Sequence, residues 1–461
     1  MKFINRALEL EFLENKHGSD QAELIVLYGR RRIGKTELIT HFLKDKKSMY
    51  FLGRLESRED TIKRINHLLA SHFRDFDVVA RPLSDWDQVF DYIAVKSKTE
   101  KTVFVFDEFP FLVDKFPELP SVLQDKWDST LKASKVMLFL SGSSVGMMEK
   151  HALSYKSPLY GRRTGQWFLR KLEPKYLASF FPDYSVEDLL LVYSSLDTIP
   201  GYLVQFNRNI NVWENIKSRV LSKGEFLYEE VEILLREELR DPSNYMSILA
   251  SIAGGLTTFS EIHSQTGLDR SMLSKYLSVL EKLAIVGKSV PVTEGYKKKL
   301  KARGALYSLK DNFFDFWFRF VYPNFSQLET GQTREVLSSI RRDVNPFLGR
   351  KFEAFIAESF HLFFPNLPVV GRWWQKGEEI DVVALNDKTG EILFCECKWQ
   401  NNVDGSRLLR NLKEKAEHVS WRERGRVEHY CIFAKSFSRL PEDCLSFGLK
   451  DIEKILHKNN A

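Results

Sequence analysis

The sequence predicts an α/β fold in three parts: a parallel sheet, a helix-turn-helix unit, and a smaller α/β unit at the carboxyl end. Three observations predict it. Continuous apolar runs alternate with helical patterns over the first 170 residues or so, as strands covered on both faces require. Two helical patterns then meet at a turn centred on Gly267. Two further apolar runs flank the turn Asp387-Lys388-Thr389-Gly390. At roughly 150 residues per domain, a chain of 461 residues accommodates these three parts.

In order along the chain, Glu23–Tyr28 reads as a buried strand and residues 36–43 as the helix after it. Residues 103–106 and 136–140 are two more strands. From Glu173 helical patterns dominate as far as Asp241-Pro242. A second unit starts near Tyr245, with a helix opened by residues 258–262 and a turn at 266–268. Asp269 then caps an amphipathic helix with Met272, Leu273, Tyr276, Leu277, Leu280 and Leu283 on one face. Residues 285–292 and 305–309 read as strands joined by a lysine-rich loop. Residues 312–320 carry aromatics on nearly every helical face and read as core. After Pro346 come a helix over 351–364, a hairpin of 379–385 with 391–398, and a polar helix over 407–418. The expected domains are residues 1–240, 241–335 and 340–461.

Composition excludes several classes. A charged fraction of 28% with 13% aromatics rules out a disordered scaffold. No apolar run spans a bilayer and the amino terminus has no signal-peptide core, so a cytoplasmic protein with no membrane partner is expected. Four cysteines do not make a disulfide framework. The balance of 68 basic against 62 acidic residues, +6, means that any basic surface must be local.

The segment Gly29-Arg30-Arg31-Arg32-Ile33-Gly34-Lys35-Thr36 fits G-x-x-x-x-G-K-[ST] between a strand and a helix. Its backbone N–H groups would cradle phosphate at the positive helix end, which Glu37 continues. Lys35 would reach the β/γ-phosphates and Thr36 would hold Mg²⁺. Asp107 and Glu108 close an apolar strand where the second metal contact and the water-polarising acid belong. The third strand ends in Ser141-Gly142-Ser143-Ser144, small polar groups suited to sensing the γ-phosphate, Ser143 among them. The stretches YGRRRIGKTELI, VFVFDEFPFL, LFLSGSS and SPLYGRR resemble the archaeal-type AAA ATPases, a P-loop family related to replication-initiator ATPases. The resemblance implies an AAA-type parallel sheet with a helical lid, ATP and Mg²⁺ as cofactors, and ATP hydrolysis. It also implies that Arg162 or Arg163 supplies charge to the γ-phosphate, in cis or from a neighbouring subunit of a homo-oligomer. Residues 199–203 resemble the family's lid motif, with Asp197-Thr198 replacing its usual first glycine.

The middle unit reads as a winged helix, a DNA contact. Its second helix would expose Arg270, Ser271, Ser274 and Lys275, and its wing Lys297, Lys298, Lys299, Lys301 and Arg303. In the late hairpin a four-residue turn sets Asn386 opposite Glu391, and therefore Asp381 opposite Glu396. Their Cβ atoms would be roughly 4.5–5.5 Å apart. Like charges so placed call for a cation or proton, and a divalent metal is the economical choice. Alternation puts Lys398 on the face of Glu396 and turns Cys395 and Cys397 to the other, as core. Glu353 or Glu358 offers a further carboxylate from the preceding helix.

This acid followed by E-x-K resembles the restriction-endonuclease-like superfamily, as does GRWWQKGEEIDVVA upstream, although Ile380 stands where a proline is usual. The resemblance implies that Asp381 and Glu396 bind Mg²⁺, that Lys398 orients or deprotonates water, and that Glu353 assists. The expected function is an ATP-hydrolysing, DNA-handling protein with a Mg²⁺-dependent nuclease domain controlled by nucleotide state. The alternative is a nucleotide-dependent switch that binds DNA or protein through the winged helix without cleavage.

Overall fold

The computed structural model describes residues 3–239, 241–294, 305–423 and 425–458. The chain forms two compact units, Met1–Lys171 and Leu172–Ala461. In the first, strands β1 (Glu23–Tyr28), β2 (Ser48–Leu52), β3 (Thr102–Asp107), β4 (Val136–Gly142) and β5 (Gly165–Phe168) build a sheet in the order β2-β3-β4-β1-β5. All neighbours are parallel. β3 and β4 are buried at every residue and β1 at all but its last, which is why these three read as unbroken apolar runs. β2 and β5 lie at the edges; β2 alternates in burial, and β5 has only four residues. β5 carries no continuous apolar run, whereas β2 carries Met49-Tyr50-Phe51-Leu52, and neither is among the strands expected from the sequence. Leu24, Val26, Phe51, Phe104, Phe106, Leu138 and Leu140 join Trp86 and Phe90 of the helix Trp86–Lys96 in one core. Each such side chain contributes about 1.5–3 kcal/mol by burial.

The second unit contains residues 172–239, which the sequence grouped with the parallel sheet, together with everything after them. Its centre is the helix Val186–Leu196, nine of whose 11 residues are buried. It starts in a capping box of Ser185 and Asp188 and packs on the helices Asn312–Phe316 and Asn345–Ser359. A buried polar knot ties these three together. Asp197, in the left-handed region at φ 60°, accepts the Asn312 N–H at 3.0 Å. Lys351 donates to the Asn312 side-chain oxygen at 2.8 Å and pairs with Asp315 at 2.6 Å. The aromatic segment is core as expected, with Phe313, Phe314, Phe316, Trp317, Phe318 and Phe320 all buried.

Helices Ser243–Ala253, Phe259–Thr266 and Arg270–Lys282 precede an antiparallel pair, β6 (Val286–Ser289) and β7 (Leu306–Leu309). Thr258 and Glu261 form a capping box, and Gly267 ends that helix at φ 65°. Leu273, Leu277 and Leu280 are buried, but Met272 is 39% exposed and does not belong to the apolar face. Asp269 occupies the cap position without a side-chain cap hydrogen bond, so the backbone turn after Gly267 starts that helix. Arg270, Ser271, Ser274 and Lys275 are exposed. Lys297, Lys298, Lys299, Lys301 and Arg303 lie outside the described residues.

The carboxyl-terminal sheet has strands β8 (Val369–Gln375), β9 (Glu378–Asn386), β10 (Glu391–Lys398), β12 (Val427–Ala434) and β14 (Leu445–Phe447), in the order β14-β12-β10-β9-β8. A separate short pair joins β11 (Val403–Asp404) to β13 (Phe437–Arg439). β9 and β10 are antiparallel with Asn386 opposite Glu391, the register that the turn predicted. β12 runs parallel to β10, so the unit is mixed α/β. The helices Asn345–Ser359 and Gly405–Glu417 pack against β10.

Candidate nucleotide and carboxylate sites

At the carboxyl edge of the parallel sheet, β1, β3 and β4 converge on one site, where ligands of open α/β sheets bind. After β1 the chain turns through Gly29 to Gly34 and enters the helix Lys35–Phe42, with Arg32 at φ 68° and Gly34 at φ 93°. A Cβ at Gly29 would lie 2.5 Å from the Leu169 carbonyl oxygen, so only glycine fits there. Lys35 is buried and its ammonium donates to the Gly29 and Arg30 carbonyls at 2.8 and 3.1 Å. The Thr36 hydroxyl donates to Asp107 Oδ2 at 3.2 Å. Glu108 is held at φ 50°, a conformation costing a non-glycine residue about 1–3 kcal/mol. Its carboxylate accepts the Ser143 hydroxyl at 2.6 Å. The structure therefore brings Gly29, Gly34, Lys35, Thr36, Asp107, Glu108 and Ser143 together, with Arg30, Arg31, Arg32 and Ile33 in the loop and Glu37 in the first helical turn. The hydroxyl and carboxylate oxygens of Thr36 and Asp107 are hard donors suited to Mg²⁺.

Replacing Gly29 by alanine forces the new methyl against backbone, an overpacking cost of about 1–3 kcal/mol. Nucleotide affinity is expected to fall at least tenfold, read by titration with a fluorescent ATP analogue; an unchanged Kd would show that the loop shifts freely.

Arg162 pairs with Asp128 at 3.0 Å and donates to the Pro158 and Tyr160 carbonyls. Arg163 donates to the Leu153 carbonyl at 2.9 Å and lies over the Tyr160 ring.

Two residues at this site escaped the sequence reading. Tyr50 donates its hydroxyl to Asp107 Oδ2. Burial, then the Asp107 hydrogen bond, pushes this phenol above its ordinary range, so it remains a donor. Arg6 is buried at φ 77° and fastens the loop from behind, donating to the Ile33 carbonyl at 2.9 Å and the Arg170 carbonyl at 2.8 Å. Neither belongs to a local pattern, since each acts on residues far from it in the chain.

In the second unit, Asp381 and Glu396 are buried one residue beyond the last ladder pair, Cys395 with Val382. The Cys397 N–H donates to Asp381 Oδ2 at 2.9 Å. The cation between the two acids is an ammonium of the chain: Lys398 lies 2.7 Å from Glu396 and 3.4 Å from Asp381. Lys415, from the helix Gly405–Glu417, takes the other Glu396 oxygen at 2.6 Å. Close pairing of this kind offsets part of the like-charge repulsion between the two acids. Glu353 faces the cluster and has Arg372 at 3.7 Å, whereas Glu358 is exposed.

Burial, then the neighbouring Glu396, pushes the Asp381 carboxyl up to about 6. Burial, then Asp381, pushes Glu353 up to about 8. For Glu396 burial acts upward, but Lys398 and Lys415 outweigh it and the carboxyl stays below its ordinary range. Cys395, Cys397 and Cys431 are buried thiols, raised by burial. Among the described residues no group of three or more His, Cys, Asp and Glu side chains has a metal-holding arrangement, and no helix is long and apolar enough to cross a membrane.

A parallel sheet with a phosphate loop after β1 and an Asp-Glu pair ending β3 defines a P-loop ATPase. Comparison with known proteins agrees. Residues 3–206 match an ATPase domain found predominantly in Archaea, and residues 317–416 match a domain of archaeal and bacterial proteins of unknown function. An uncharacterized protein of Methanocaldococcus jannaschii is 35% identical over 97% of this chain and 99% of its own length. The chain belongs to this archaeal ATPase family. A 45-residue stretch is 62% identical to an uncharacterized ATP-binding protein of the same organism, covering 10% of this chain and 76% of that one. The fold is similar to that of the Walker-type ATPase of Pyrococcus abyssi, with a TM-score of 0.50 and 22% identity, covering 69% of this chain and 96% of that one.

Proposed function

We propose that the chain is an ATP-hydrolysing, DNA-handling protein whose carboxyl-terminal carboxylates form a Mg²⁺-dependent nuclease centre governed by nucleotide state. The organisation proposed is an ATPase domain with helical lid over 1–240, a winged helix over 241–335 and a restriction-endonuclease-like domain over 340–461. At the first site Lys35 neutralises the β/γ-phosphates, Glu108 polarises the attacking water and Ser143 senses the γ-phosphate. Arg162 or Arg163 adds charge, in cis or from a second copy in a homo-oligomer. Thr36 and Asp107 would hold Mg²⁺, which would supply further positive charge to the phosphates. Arg270, Ser271, Ser274 and Lys275 would meet DNA, with phosphate contacts from the lysine-rich wing.

The observation that carries the nuclease reading is the hairpin register, which sets Asp381 beside Glu396 with Lys398 bridging them. Mg²⁺ at Asp381 and Glu396 would supply Lewis-acid charge to a phosphodiester. Lys398 would orient or deprotonate the water, and Glu353 would assist. A second reading, a switch that binds DNA or protein without cutting it, has its own support. Lys398 already pairs with Asp381 and Glu396, Lys415 takes the other Glu396 oxygen, and Arg372 lies beside both Glu379 and Glu353.

Purified protein incubated with plasmid, linear and branched DNA, with Mg²⁺ or Mn²⁺ and with or without ATP, separates the two readings. Cleavage by the parent and its loss in Asp381→Ala are expected, a fall of at least about a hundredfold. No cleavage of any substrate, or equal cleavage by the variant, removes the nuclease reading and leaves the switch.

A further inference from the structure

We propose that Tyr50 is a positioning residue of the nucleotide site, holding the Asp107 carboxylate in the orientation that lets Thr36 and a divalent cation engage together. β2 lies beside β3 in parallel register with Leu52 next to Asp107, which lets the phenol of Tyr50, two residues earlier, reach the end of β3. The Tyr50 hydroxyl and the Thr36 hydroxyl both donate to Asp107 Oδ2, while Oδ1 takes the Glu108 N–H at 3.0 Å. Asp107 is only 2% exposed, so these protein donors, rather than bulk water, fix its rotamer. Among them Tyr50 is the one that belongs neither to the phosphate loop nor to the Asp-Glu pair.

The physical consequence is specific to the cation. A carboxylate accepting from Thr36 Oγ1 directs that hydroxyl's proton toward itself and leaves an oxygen lone pair for the metal. Without the phenol, Oδ2 loses one of its two donors and the carboxylate can rotate away from Thr36. Groups that orient metal-binding residues from outside typically change metal affinity 10–100-fold when removed. Phosphate contacts made by the loop N–H groups and Lys35 do not pass through Tyr50, so binding of nucleotide without cation is left intact. The proposal rests on the reading of Thr36 and Asp107 as the holders of Mg²⁺.

The test uses the full chain, as the parent and as Tyr50→Phe, which keeps the ring and removes only the hydroxyl. A fluorescent ADP analogue at fixed concentration is titrated with Mg²⁺, and its affinity is measured separately in excess chelator. The expected result is a rise of about tenfold in half-saturating Mg²⁺ for Tyr50→Phe, with equal affinities in chelator and an equal melting temperature. An unchanged Mg²⁺ midpoint overturns the proposal, and so does an equal loss of affinity with and without Mg²⁺, which would assign the hydroxyl to packing. If binding to the parent does not depend on Mg²⁺ at all, the cation reading of Thr36 and Asp107 falls and takes this one with it.

Discussion

ATP turnover by Lys35→Ala is expected to fall at least about a hundredfold, the scale on which removal of a single transition-state donor acts. Lys35 is buried at the start of its helix, and its ammonium is held within the loop by two backbone carbonyls. Its charge is therefore already held within the loop that would receive the phosphates, where it would exchange these carbonyls for phosphate oxygens. Alanine removes that charge while sparing the glycines and the Thr36–Asp107 pair. The fold should survive, because a helix accepts alanine readily. Phosphate release at saturating ATP is the measurement, with circular dichroism as the control for folding. Hydrolysis equal to the parent's would mean that turnover takes place elsewhere in the chain.

The largest expected effect on stability belongs to Lys351→Met. Lys351 is 6% exposed, and its ammonium serves both Asp315 and the Asn312 side chain. Methionine fills similar volume but leaves the Asp315 carboxylate without its counter-ion and the Asn312 oxygen without its donor. Breaking one side of a buried ion pair costs about 3–5 kcal/mol, mostly the penalty of the stranded charge. Denaturant unfolding followed through the second unit should register that loss. Adding Asp315→Leu to the variant should recover much of it, since the stranded charge is gone and only the Asn312 oxygen still lacks its donor. A single-variant loss below about 1 kcal/mol, the value of an ordinary hydrogen bond, would contradict the account.

What could be read in advance follows from the range over which each interaction acts. The phosphate loop, the Asp-Glu pair and the hairpin register are local: a turn length or a run of fixed residue types determines each. Asp381 and Glu396 were placed together by counting outward from one turn, and the ladder agrees as far as Cys395 with Val382. Which cation lies between them was not local. Lys398 was legible from alternation, but Lys415 arrives from a helix whose docking no pattern announces. Tyr50 and Arg6 depend on strand order and on the packing of the amino-terminal segment, both set by distant residues. Of the two edge strands, β5 is too short to give a strand signal. β2 has an apolar run over residues 49–52, whose burial alternates because it has a neighbour on one side only. Met272 falls on the expected apolar face by its helical spacing from Tyr276 and Leu280, whereas the residues buried in this helix are Leu273, Leu277 and Leu280.

The burial of helix Val186–Leu196 bears on how such chains can be recombined. Nine of its 11 side chains are covered inside the second unit, including the turns that pack on helices more than a hundred residues further on. A graft that transplanted residues from 241 onward to another ATPase would strip that cover and leave an apolar cavity the length of a helix. The piece that can travel as cargo therefore starts near residue 172. In any natural shuffling of this architecture, the helices from residue 172 onward and the carboxyl-terminal sheet would be inherited as a single parcel.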